Sequence, residues 1–73
     1  MILQLPSKKV IETDGISQVD SVSFHNDNVS RSWAEYDVIY RDGCIVPLYY
    51  DTESSANHDK IFLEDFLKKN KES

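Results

Sequence analysis

The chain contains two glycines, and each follows an aspartate, as Asp14-Gly15 and Asp42-Gly43. The second pair interrupts RSWAEYDVIYRDGCIVPLYY, residues 31–50, which is otherwise rich in aromatic and β-branched residues. An Asp-Gly pair between such runs is the strongest short-range signal for a β-hairpin, because a two-residue type I′ turn needs positive φ at both central positions. A two-residue loop sets Arg41 against Cys44, Tyr40 against Ile45, Ile39 against Val46, Val38 against Pro47, Asp37 against Leu48 and Tyr36 against Tyr49. Side chains alternate between the faces of a sheet. One face then carries Ala34, Tyr36, Val38, Tyr40, Ile45, Pro47 and Tyr49; the other carries Trp33, Glu35, Asp37, Ile39, Arg41, Cys44, Val46, Leu48 and Tyr50. Pro47 falls at a non-hydrogen-bonded pair, which marks residues 45–50 as an edge strand.

The first Asp-Gly pair predicts a second hairpin, with residues 8–13 running out and 16–25 running back. Thr13 then faces Ile16, Ile11 faces Gln18, Val10 faces Val19, and Lys9 faces Asp20 as an opposite-charge pair. Ile11, Ile16, Val22 and Phe24 form its core side. The cluster Asn26-Asp27-Asn28 is a turn through which the second and third long strands pair, giving a four-stranded antiparallel meander. Residues 1–5 form a short strand or an arm across the sheet.

Beyond the polar stretch 51–56, an amphipathic helix is expected over about 57–69, with Asn57 or Ser55 as N-cap. Ile61, Phe62, Leu63, Phe66 and Leu67 are its apolar stripe. Asp59 in the first turn and Lys68, Lys69 and Lys71 near the last complement the helix dipole. The expected fold class is therefore α+β: one small domain, 1–73, with an antiparallel sheet of about four strands and a C-terminal helix packed on one face.

At 73 residues the chain can bury only a small core, so a large enclosed pocket is not expected. A net charge of −5 disfavours nucleic acid and anionic membrane as direct partners. The lone Cys44 allows no intrachain disulfide and suits a reducing cytoplasm. Residues 1–6 read neither as a signal peptide nor as part of a membrane span. Asn28-Val29-Ser30 matches a glycosylation sequon, which matters only on the secretory route.

No cofactor or metal is expected. Both glycines are committed to turns, which leaves no glycine-rich phosphate loop. His25, His58 and Cys44 lack the close spacings of a zinc site. Cys44 beside a hairpin turn has no helix N-terminus to lower its pKa for nucleophilic work. Glu35 and Asp37, two apart on one strand, read as a solvated stripe rather than a catalytic pair, and no enzymatic activity is expected.

The aromatics Trp33, Tyr36, Tyr40, Tyr49 and Tyr50 concentrate on the central hairpin. In an RNA-binding sheet they would stack bases, but Glu35 and Asp37 beside Trp33 would repel phosphate. Acid is uneven along the chain: over residues 35–65 there are eight carboxylates against Arg41 and Lys60, a balance of −6. One helix can cover only one sheet face, while large apolar residues point both ways. The expected function is accordingly a non-enzymatic protein-interaction module, an adaptor or inhibitor binding a protein partner or a second copy of itself as a homodimer. Its contact surface is Trp33, Ile39, Val46, Leu48 and Tyr50 with Glu35 and Asp37 at the rim. The rival readings are an acidic mimic of nucleic acid that binds a basic nucleic-acid-binding protein, and a single-stranded nucleic-acid binder using the same aromatics.

Overall fold

The computed structural model describes residues 1–27 and 31–71, the last of these by its backbone only, so the 28–30 sequon and the end of the Asn26–Asn28 turn lie outside the described residues. Strands β1 (Ile2–Gln4) and β2 (Val10–Glu12) form a two-stranded sheet. Strands β3 (Ile16–Val19), β4 (Ser23–Asn26), β5 (Ser32–Tyr40) and β6 (Ile45–Tyr50) form a four-stranded one, and helix α1 (Glu53–Lys71) closes the chain. This is the α+β class that the pattern predicts, with antiparallel pairing throughout.

The connectivity differs from the expected meander at the first Asp-Gly pair. Thr13 and Ile16 close a turn around Gly15, whose φ is +83°, yet β2 and β3 do not pair. Instead Leu3 and Leu5 alternate inward beside Ile11, and β2 spends its ladder on β1, with Thr13 N and Oγ1 both donating to Met1 O. Thr13 and Ile16 therefore meet only in the turn, and the predicted pairs Ile11–Gln18, Val10–Val19 and Lys9–Asp20 are not made. Asp14-Gly15 is a corner that carries the chain from one sheet to the other, and Gly15 O accepts from Arg41 N at 2.8 Å.

Strands β3 and β4 are two segments of one interrupted edge, both antiparallel to β5. Ile16 opposes Tyr40, Gln18 opposes Ile39, and Ser23 opposes Glu35, so the register slips once near Ser17 and again between Val19 and Ser23. Each slip exchanges the faces of the residues beyond it. Ile16, Val19 and Val22 consequently all pack toward the core, and Phe24, expected inside, lies on the same face opposite Ala34 but is 52% exposed.

The central hairpin also departs from its expected register. The turn is not a two-residue type I′ loop: Gly43 N donates to Tyr40 O at 3.0 Å, Tyr40 N donates to Cys44 O at 2.8 Å, and only Gly43 has positive φ, at +94°. This is a three-residue loop, a type I turn followed by a left-handed glycine, with Asp42 Oδ1 accepting from Cys44 N. The extra residue moves every pair by one. Ile39 faces Ile45, Val38 faces Val46, Asp37 faces Pro47, Tyr36 faces Leu48, Glu35 faces Tyr49, and Ala34 faces Tyr50. Pro47 still lies at a non-hydrogen-bonded pair, its nitrogen turned outward on an edge strand.

The core lies on one face of the larger sheet. Ala34, Tyr36, Val38 and Tyr50 meet Leu5 and Ile11 of the small sheet and Ala56 and Leu63 of α1. Full burial of side chains such as Tyr36, Val38 and Leu63 contributes roughly 1.5–3 kcal/mol each. The helix starts four residues earlier than expected. Thr52 is its N-cap, with Oγ1 accepting from Ser55 N at 3.1 Å and its carbonyl from Ala56 N. Its inner stripe is Ala56, Asp59 and Leu63 with Leu67 beside them, whereas Ile61 and Phe62, predicted inside, are 58% and 42% exposed.

A buried polar chain ties the layers together. Asp59, 1% exposed, accepts from Ser7 N at 3.1 Å, from Ser7 Oγ, and from Tyr50 Oη at 2.8 Å. Tyr50 spends its one proton on Asp59, so Tyr36, 3.1 Å away and stacked on Tyr50 at 5.6 Å, donates to Tyr50. Burial pushes both phenols up, with the Tyr50 to Asp59 bond adding to the effect at Tyr50, so both stay neutral donors. Lys9 Nζ sits 4.9 Å over the Tyr50 ring.

Candidate interaction surface

The shifted register decides what the second sheet face carries. From β5 it takes Trp33, Glu35, Asp37 and Ile39; opposite them lie Ile45, Pro47 and Tyr49 on β6, and Gln18, Ser23 and His25 on β3 and β4. None of these side chains joins the core cluster, and the contacts of α1 are with the other face. The molecule measures 46 × 25 × 17 Å, and its shortest dimension holds two layers rather than three. This face is open, with Ile45 58% and Tyr49 54% exposed.

The predicted contact set is thus divided. Trp33, Glu35, Asp37 and Ile39 stand together on the open face, while Val46, Leu48 and Tyr50 point to the helix side, where Tyr50 is buried and Leu48 packs against the core. The one-residue change in loop length is the whole cause. In their place the open face gains Ile45, Pro47 and Tyr49, which the two-residue loop had sent inside, and His25, whose pairing with Trp33 results from the β4–β5 register.

Two features shape this surface. At one end His25 lies against the Trp33 indole, ring centroids 5.3 Å apart and planes at 15°, with His25 Nε2 2.8 Å from Glu35 Oε1. Beside them a shallow groove of about 460 Å³ is lined by Asp27, Arg31, Trp33, Glu35 and Tyr49. In the middle, the break between β3 and β4 opens a polar notch bordered by Asp20, Ser21, Ser23, Glu35 and Asp37. Ile39 and Ile45, directly opposed, form the apolar far end.

Charge is partitioned between the layers. Residues 16–52, which build the larger sheet, hold six carboxylates, two arginines and no lysine, a balance of −4. The remaining residues hold seven carboxylates and all six lysines, a balance of −1. Carboxylates are spread almost evenly, but the lysines that offset them lie outside residues 16–52, so net negative charge falls on the sheet layer, and Asp20, Glu35 and Asp37 bring it to the open face.

Two other reactive side chains lie away from this face. Cys44 is exposed in the loop, where its hydrogen bond to Asp42 and that carboxylate's charge push the thiol up, which keeps it protonated and a weak nucleophile. Its bonds to Cys44 hold the Asp42 carboxyl below the usual range. His58 is exposed on α1, in the other layer from His25. Among the described residues, no three His, Cys, Asp or Glu side chains group closely enough to hold a metal ion, and no helix is long and apolar enough to cross a membrane. No family model matches the chain, and no curated protein or solved structure resembles it closely enough to count as a match.

Proposed function

We propose that this protein is a non-enzymatic interaction module that binds a basic segment of another protein across its open sheet face. The observation that carries the reading is the charge partition: a face with Trp33, Tyr49, Pro47, Ile39 and Ile45 as apolar ground, Asp20, Glu35 and Asp37 as carboxylates along it, Arg31 and Asp27 at one end, and no lysine in residues 16–52 that build it. An uncovered patch of aromatic and aliphatic groups edged by carboxylates suits a partner that presents lysine or arginine between apolar residues. A nucleic-acid-binding protein, whose basic surface is built for phosphate, is one class of such partner. The exposed thiol of Cys44 fits a reducing compartment such as the cytoplasm.

A second copy is the less favoured occupant. Face-to-face pairing would bring like carboxylates together, and Pro47 on one edge and the broken β3–β4 edge on the other obstruct strand-to-strand pairing. Bases stacking on Trp33 or Tyr49 would bring phosphates to the same carboxylates.

Sedimentation and capture of basic proteins from the native host at low salt test the reading together. The expected result is a monomer whose capture is lost in Asp37→Lys and weakened in Trp33→Ala, with both variants folded. A dimer that dissociates in Asp37→Lys would assign the face to a second copy. Binding of single-stranded DNA that weakens steeply with salt would assign it to nucleic acid.

A further inference from the structure

The open face carries a titratable contact at the point where it presents Glu35. His25 on β4 is held from two sides by β5, with Trp33 against its ring and Glu35 Oε1 2.8 Å from its Nε2. The His25 side chain is 43% exposed and that of Glu35 is 22% exposed, so the imidazole can exchange a proton with water while remaining beside the carboxylate. We propose that His25 is a proton-operated gate on this face: protonated, it closes an ion pair with Glu35 and withdraws that charge from a basic partner; neutral, it leaves Glu35 to the partner. The gate rests on the docking role proposed above.

Histidine is the side chain that ordinarily changes charge between pH 5 and 8. Protonation converts the Nε2 contact into a charge-assisted bond and places a cation on the face of an indole, and both changes favour the closed arrangement. The charged groups around the imidazole are few. From β5 there is Glu35, and Arg31 lies two positions before Trp33 on the same side; Asp27 lies two positions beyond His25, with its N bonded to Arg31 O. From β6 the neighbour of Glu35 is Tyr49, and no described element lies above. Adding a proton to His25 therefore raises the charge of this end of the face by one. Attraction for a cationic partner is accordingly weaker with the gate closed than with it open.

Trp33 is the only tryptophan in the chain, so its emission reports on the gate without any ligand. An imidazolium stacked on an indole quenches it, and wild-type emission is expected to fall between pH 7.5 and 5.5. With a hexalysine peptide as probe at low salt, calorimetry is expected to show affinity falling roughly threefold to fivefold over the same interval, the scale of one exposed charge pair. His25→Gln should flatten both profiles at the high-pH affinity. Glu35→Gln should lower the affinity at pH 7.5 and shrink the fall toward pH 5.5 to what the added charge on His25 alone supplies, and His58→Gln should leave both profiles as in the wild type. Flat emission and affinity in the wild type, or an unchanged profile in His25→Gln, would overturn the gate. Absence of hexalysine binding at every pH, with the Trp33 titration intact and lost in His25→Gln, would overturn the docking role and leave the His25–Glu35 switch standing.

Discussion

Two loops in this molecule share one geometry and differ in what holds it. In the loop from Tyr40 to Cys44, Gly43 N donates to Tyr40 O and Tyr40 N to Cys44 O; in the loop from Leu5 to Lys9, Lys8 N donates to Leu5 O and Leu5 N to Lys9 O. Each is a type I turn closed by a residue in the left-handed region, Gly43 at +94° and Lys8 at +78°. The first is specified by its own residues, since glycine takes that conformation without penalty and Asp42 caps the turn. The second has Pro6 to start the turn but a lysine where the glycine belongs, at a cost of about 1 kcal/mol. The compensation is remote in sequence: Asp59, 52 residues after Ser7, takes both the N–H and the hydroxyl of Ser7. A strained turn persists where its surroundings over-determine it.

The largest effect should come from removing that outside hold. Asp59→Ala takes the acceptor from Ser7 and from the buried hydroxyl of Tyr50, a loss of roughly 3 kcal/mol, comparable with the net stability of so small a domain. Urea denaturation should show the loss, and hydrogen exchange should show protection disappearing first from β1 and β2. An unchanged midpoint would mean that the Lys8 loop needs no anchor and that the contrast is false. Gly43→Ala should cost about 1 kcal/mol by denaturation, and the effect is torsional because no atom lies within 4 Å of the added methyl group. The smallest effect has the opposite sign: Lys8→Gly relieves the strained φ and should stabilise by roughly 0.5 kcal/mol, the gain being limited by the added freedom of the unfolded chain. Destabilisation by Lys8→Gly would show that the lysine side chain contributes more than its backbone costs.

The same contrast explains what could be read ahead of the structure. The hairpin at Asp42-Gly43, the antiparallel pairing of the β4 segment with β5, and an amphipathic C-terminal helix arise from local pattern and are present. Loop length was not legible, because Asp-Gly suits both a two-residue turn and the end of a three-residue one. That single ambiguity placed Val46, Leu48 and Tyr50 on the wrong face and hid Tyr49 and Ile45 from the contact surface. Asp14-Gly15 makes a turn as expected, but whether the flanking strands pair across it depends on Leu3 and Leu5 competing for β2, which is a tertiary matter. The helix stripe erred at Ile61 and Phe62 because the helix buries a carboxylate, Asp59, where periodicity favours an apolar residue. Of the open face, Trp33, Glu35, Asp37 and Ile39 were found together through simple alternation along β5. His25 was missed because its place opposite Trp33 is set by the register of β4 on β5, which no short motif announces.

Pro47 sits midway along β6 with its nitrogen facing outward, opposite Asp37. A fibril grows by adding strands to such an edge, rung upon rung, and each rung needs its row of donors. Here the middle rung lacks its proton, and on the far side of the sheet the other free edge is broken between Val19 and Ser23. Open-ended stacking is obstructed at both margins, so association across the broad face would stop at a small fixed stoichiometry instead of propagating into a polymer. A chain of this size, with half of its sheet surface bare, can therefore be kept adhesive in one direction and inert in the other two.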